Sequence, residues 1–91
     1  DYHQKDAAAS YFRTSDGAEV DLIIEFPDSV WAVEIKSLSE VRTSDIRGLI
    51  SFTEDHKVDR ALCVCATPRP YKNSGVEFMN WKDFFRILAA I

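Results

Sequence analysis

The chain has 91 residues and 10.4 kDa, enough for one small domain with a thin core. Fifteen acids against eleven bases give a net charge of −4 and a pI near 5.0, which excludes nucleic-acid binding through a broad basic surface. No apolar run approaches the roughly 20 residues of a membrane span, no signal peptide is legible, and three Gly and three Pro exclude low-complexity architectures. The two cysteines, Cys63 and Cys65, alternate in a strand-like run and read as buried free thiols in a reducing cytoplasm. The first residue is Asp rather than Met, so the expectation is a segment of a longer chain.

Residues 1–10 are polar and then alanine-rich, and read as a tail, a linker or the end of a preceding helix. Tyr11 to Thr14 predict a short strand, and Asp16-Gly17 a hairpin turn. Glu19 to Phe26 (EVDLIIEF) alternates as a strand, with Val20, Leu22, Ile24 and Phe26 on one face and Glu19, Asp21, Ile23 and Glu25 on the other. After a Pro27-Asp28-Ser29 turn, Val30 to Lys36 (VWAVEIK) places Trp31, Val33 and Ile35 opposite Ala32, Glu34 and Lys36. Ser37 to Arg42 reads as a loop. A helix follows to about His56, with Thr43 or Ser44 as its cap, Asp45 in its first turn, and Ile46, Leu49 and Ile50 on its apolar stripe. Arg60 to Ala66 (RALCVCA) suits a buried strand reached by a parallel crossover. Thr67 to Gly75 reads as a loop, a plain surface one or one whose Arg69, Tyr71 and Lys72 touch nucleic acid, and Val76 to Met79 reads as a short strand. Asn80 then caps a last helix carrying Trp81, Phe84, Phe85 and Leu88. The order is β-β-β-α-β-β-α: one α/β domain over residues 1–91, its mixed sheet an antiparallel meander plus a parallel crossover, flanked by helices.

The chemistry concentrates on the second and third strands. A hairpin centred on Pro27-Asp28 sets Asp21 opposite Glu34 and Glu19 opposite Lys36. A shift of two residues sets Asp21 opposite Lys36, and the faces allow both. Facing carboxylates repel across a sheet unless a cation lies between them. Oxygen donors of this kind suit Mg²⁺ or Mn²⁺, and Lys36 falls on the same face. A solvated sheet face also carries alternating charges, so the spacing alone does not separate a site from a surface. Arg13, Arg42 and Arg47 lie around these residues in sequence and are the candidate phosphate contacts.

GAEVDLII over residues 17–24, with VEIKS over 33–37, resembles the signature of the PD-(D/E)XK nuclease superfamily, whose fold is restriction-endonuclease-like. More closely, YFRTSDGAEVDLII with VEIKS, the helix from Ser44 and the late NWKDFF element resemble a domain of unknown function. That domain lies at the C-terminal end of prokaryotic AAA-type P-loop ATPases. The resemblance covers about residues 11–88. It implies Asp21 and Glu34 as acids holding Mg²⁺ or Mn²⁺, Lys36 as the catalytic lysine, and Glu19 as an accessory position. It further implies Mg²⁺-dependent hydrolysis of DNA, an upstream ATPase module that alone would bind ATP, and a cytoplasmic location. Active superfamily members add a fourth acid on a helix before the first strand. No such helix is legible here, and Asp1 and Asp6 lie in a short polar segment, so inactivity of this piece alone is the expectation. Two further readings follow: an inactive nuclease-fold domain that positions nucleic acid or regulates the ATPase, and a protein–protein module that forms a homodimer.

Overall fold

A computed structural model describes residues 8–13 and 19–90, with side chains from Val20 onward. Strand β1 (Ala8–Arg13) precedes β2 (Glu19–Phe26) and β3 (Ser29–Ile35). A single 3₁₀ turn (Thr43–Ile46) leads into α1 (Arg47–Asp55). Then come β4 (Arg60–Val64), β5 (Tyr71–Asn73), β6 (Val76–Met79) and α2 (Trp81–Ala89). The six strands form one mixed sheet in the order β1-β2-β3-β4-β6-β5. β1, β2 and β3 are antiparallel, whereas β3-β4 and β4-β6 are parallel. The expected meander and crossover are therefore both present. Three of the residues expected in a tail, Ala8 to Ser10, belong to β1. The Asp16-Gly17 turn lies outside the described residues.

Each element follows from local chemistry. Pro27 and Asp28 form a two-residue turn that pairs Phe26 with Ser29, and Phe26 meets Trp31 edge-on at 4.9 Å across it. Neither Thr43 nor Ser44 caps the helical segment. The Asp45 carboxylate instead accepts from the Arg42 N–H at 2.8 Å, while the Arg42 carbonyl accepts from the Asp45 N–H at 2.9 Å. This reciprocal pair satisfies the end groups, and the chain makes a 3₁₀ turn before the α-helix proper begins at Arg47. At α2, the Asn80 side chain accepts from the Asp83 N–H at 3.0 Å as an N-cap, and its amide donates to the Thr67 carbonyl.

The segment expected as a loop over 67–75 contains a strand. Ser74 and Gly75 have φ of 56° and 78°. Positive φ at both central residues is the signature of a type I′ hairpin, whose twist matches the strands it joins. Tyr71 consequently pairs with Phe78, and Asn73 with Val76. The helix–strand order thus gains one strand over the expected β-β-β-α-β-β-α.

Two apolar layers sandwich the sheet. On one face, α1 contributes Leu49 and Phe52 to a core with Ile23, Ala32, Cys63 and Phe78. On the other, α2 contributes Phe84 to a core with Ile24, Trp31, Val33, Leu62 and Met79. β4 is central and parallel to both neighbours, which is why RALCV is buried on both sides beyond Arg60. No described helix is long and apolar enough to cross a membrane.

Candidate functional site

A bulge in β2 builds one corner of the site. Ser10 pairs with Ile23 and Phe12 with Val20, so two steps on β1 oppose three on β2. The extra residue falls within Asp21–Leu22 and reverses the alternation. Val20 is therefore buried with Ile23 under α1, not with Leu22, Ile24 and Phe26 as alternation predicts. A bulge re-aims a side chain at the cost of one ladder position. On the other edge of β2, the pairing with β3 ends at Leu22–Val33, and the Ile35 N–H beyond it donates to Asp21 Oδ2 at 2.9 Å.

The second corner is Glu34. The β2–β3 register runs as far as Leu22 opposite Val33, and beyond it the Asp21 carboxylate, held by the Ile35 N–H, lies near Glu34. This is the first of the two registers the sequence allows. Glu34 is only 7% exposed, among the apolar residues beneath α1. Its Oε2 lies 3.3 Å from Lys36 Nζ, while its Oε1 is buried without a hydrogen-bond partner. Burial raises the Glu34 pKa above the ordinary carboxylate value, the Asp21 charge adds to this, and Lys36 opposes both. Asp21, Glu34 and Lys36 thus occupy one locality, as expected. Among the described residues, no three His, Cys, Asp or Glu side chains group closely enough to hold a metal ion.

The other expected residues are more scattered. The backbone of Glu19 pairs with that of Arg13, and both side chains lie outside the described residues. Arg42 is exposed at the end of the loop after β3, and Arg47 is exposed in the first turn of α1. Neither makes an ion pair among the described residues. Cys63, directly across from Glu34, is fully buried; burial, Cys65 and the Glu34 charge push its thiol up to about 12. At that value it is no nucleophile at neutral pH.

The chain matches the family model described as Domain of unknown function (DUF4143) over residues 1–84. It belongs to that family. No curated protein and no solved structure matches it. In this DUF4143 domain, Tyr71 lies not in the expected loop but on an edge strand in the same row as Glu34. Glu34 pairs with Cys63, Cys63 with Phe78, and Phe78 with Tyr71. A single row across the sheet therefore ends at Tyr71, on the face that carries Glu34. Tyr71 stacks on Phe78 at 4.6 Å with the rings 5° from parallel. The signal for it was the Ser74-Gly75 dipeptide, which reads as a hairpin turn centred midway between Tyr71 and Phe78.

Proposed function

We propose that this domain has a restriction-endonuclease-like core of the PD-(D/E)XK type and hydrolyses phosphodiester bonds in DNA, as the C-terminal domain of a prokaryotic AAA-type ATPase. One observation carries the reading: a buried glutamate oxygen without a partner, beside a second carboxylate and a lysine. An orphaned buried acceptor is costly, and a ligand that fills it removes the cost. Asp21 keeps Oδ1 outside its bond to Ile35, and Glu34 keeps Oε1. These oxygens fit Mg²⁺ or Mn²⁺, which take one or two protein carboxylates and complete their shells with water and phosphate. Asp21 and Glu34 would hold the ion; when bound, it acidifies a water and polarises a phosphoryl oxygen.

The protein's own groups supply the rest. The Ile35 N–H fixes the Asp21 carboxylate. Burial keeps water from competing for Glu34. Lys36, a third exposed, holds Glu34 from the solvent side and presents an ammonium to an arriving phosphate or attacking water. The net charge of −4 disfavours DNA binding by these residues alone, so the reading includes the cation and an attached ATPase module as partners.

The test is cleavage of end-labelled DNA with Mg²⁺ or Mn²⁺. Cleavage should fall at least about a hundredfold in Lys36→Ala, the typical weight of one positioned proton-transfer group. Undiminished cleavage in that variant overturns the reading. A second reading, an inactive nuclease-fold domain, is favoured by the structural use of Asp21 as a ladder cap. It predicts no cleavage, together with a loss of stability in Asp21→Ala.

A further inference from the structure

We propose that Tyr71 and Arg42 form a site for one unpaired nucleotide, the base stacking on Tyr71 and its phosphate meeting Arg42. The inference rests on the hydrolase reading for its place along the substrate. It names the substrate as a locally single-stranded nucleic acid.

Tyr71 has the features of a stacking platform. Phe78, itself 2% exposed, supports one face of the ring, yet Tyr71 remains 41% exposed on the edge strand of the sheet. The type I′ turn at Ser74-Gly75 holds that strand, so the ring is ordered before any ligand arrives. Preorganisation of this kind spares a binding site its entropy cost. Stacking on an aromatic ring accepts any base, because every base has a π-face.

The ring also lines an open cleft of about 490 Å³ with Ser39, Glu40, Val41 and Arg42. That volume suits a nucleotide-sized ligand. Arg42 makes no ion pair among the described residues, which leaves its guanidinium for a phosphate. Glu40 in the same cleft repels phosphate, so the anionic backbone passes at Arg42 while the base takes the Tyr71 side. Lys72 alternates away from Tyr71 and faces Glu77 on the opposite side of the sheet, so it takes no part. A peptide strand is the less suited occupant, because the β5 edge offers only three residues as a template.

The cleft is placed to serve the same strand as Glu34 and Lys36. Three strand spacings separate Glu34 from Tyr71 along their row, about 14 Å. The exposed loop from Ser37 forms the rim between them, and its first cleft residue, Ser39, follows Lys36 by three positions, at most roughly 11 Å of chain. A backbone entering at Lys36 reaches Tyr71 within neighbouring nucleotides.

The test uses the protein with its proposed ATPase module attached and a short single-stranded oligodeoxynucleotide carrying 2-aminopurine, with Ca²⁺ in place of Mg²⁺ to supply the cation while suppressing cleavage. Binding should quench the probe. Tyr71→Leu should abolish the quench and weaken binding by about tenfold, the weight of one stacked base. Tyr71→Phe, which keeps the ring, should retain both. Arg42→Ala should keep the quench but lower the salt dependence by about one counterion. Absence of binding, or equal quench in Tyr71→Leu and the parent, overturns the proposal; so does loss of quench in Tyr71→Phe with its fold intact by circular dichroism. A quench that depends on Tyr71, without Mg²⁺-dependent cleavage, removes the hydrolase reading and keeps this site. Cleavage indifferent to Tyr71 does the reverse.

Discussion

The two faces of the sheet each carry a carboxylate paired with a cation, and the two pairs are built differently. On the α2 face, Arg60 donates to both oxygens of Glu77, at 2.6 and 3.0 Å, and its guanidinium also lies 4.9 Å from the Trp31 ring centroid. Every acceptor is used, and Arg60 holds the Glu77 carboxyl below the ordinary range. On the α1 face, Lys36 reaches one oxygen of Glu34 at 3.3 Å, the other oxygen has no partner, and burial lifts the carboxyl above the ordinary range. A planar fork can satisfy a carboxylate completely, whereas an ammonium on a flexible stem meets it at a point. The first pair is a closed structural device. The second keeps acceptor capacity for something else.

The largest stability difference should come from the closed pair. Arg60→Ala removes a bidentate charged bond and the cation over Trp31, and should cost about 2 kcal/mol in urea unfolding. A loss below about 0.5 kcal/mol would place Arg60–Glu77 with ordinary surface pairs. The matched substitutions Glu77→Gln and Glu34→Gln sharpen the contrast. The first should lose about 1 kcal/mol near neutral pH, and the second should lose nothing, because it removes a charge that burial disfavours. Equal losses would erase the distinction between the faces.

The pH response should separate the pairs by sign. Glu77 has a lowered folded pKa, so its contribution is present above the ordinary carboxylate value and is lost as pH falls through the lowered one. Glu34 has a raised folded pKa. The folded state then holds its proton more tightly than the unfolded chain, and stability declines as pH rises from the ordinary value through the raised one. The two trends oppose each other in the parent chain. In Glu77→Gln, stability should fall more steeply with rising pH just above the ordinary carboxylate value than in the parent; in Glu34→Gln that decline should be lost. Chemical unfolding across mildly acidic pH reads both, and identical profiles for the two variants would contradict the assignment.

The asymmetry between the faces was partly legible in the residues. Strict alternation in VWAVEIK was enough to place Glu34 and Lys36 together and opposite Trp31 and Val33, because β3 is regular throughout. The same rule failed at Val20, because a bulge depends on pairing with β1 and leaves no periodic trace within β2. The register beside Asp21 was one of two until the two-residue turn at Pro27-Asp28 fixed it. Tyr71 stood out as a candidate nucleic-acid contact in a loop, but its strand was hidden because a three-residue edge strand is shorter than any periodicity window. Only the turn chemistry of Ser74-Gly75 marked it. The partnership of Arg60 with Glu77 had no sequence signal at all: it joins residues 17 apart on adjacent parallel strands. Local pattern thus carried the elements and the lysine–glutamate pair, while contacts made by strand pairing had to come from the structure.

The most direct test of the open pair is calorimetric titration of Mn²⁺ into the parent chain, Asp21→Asn, Glu34→Gln and Glu77→Gln. The parent and Glu77→Gln should bind the ion alike, and the two substitutions on the α1 face should abolish binding. No heat of binding to the parent, or binding that survives the loss of the Glu34 carboxylate, would contradict the reading of Glu34 as a ligand in waiting.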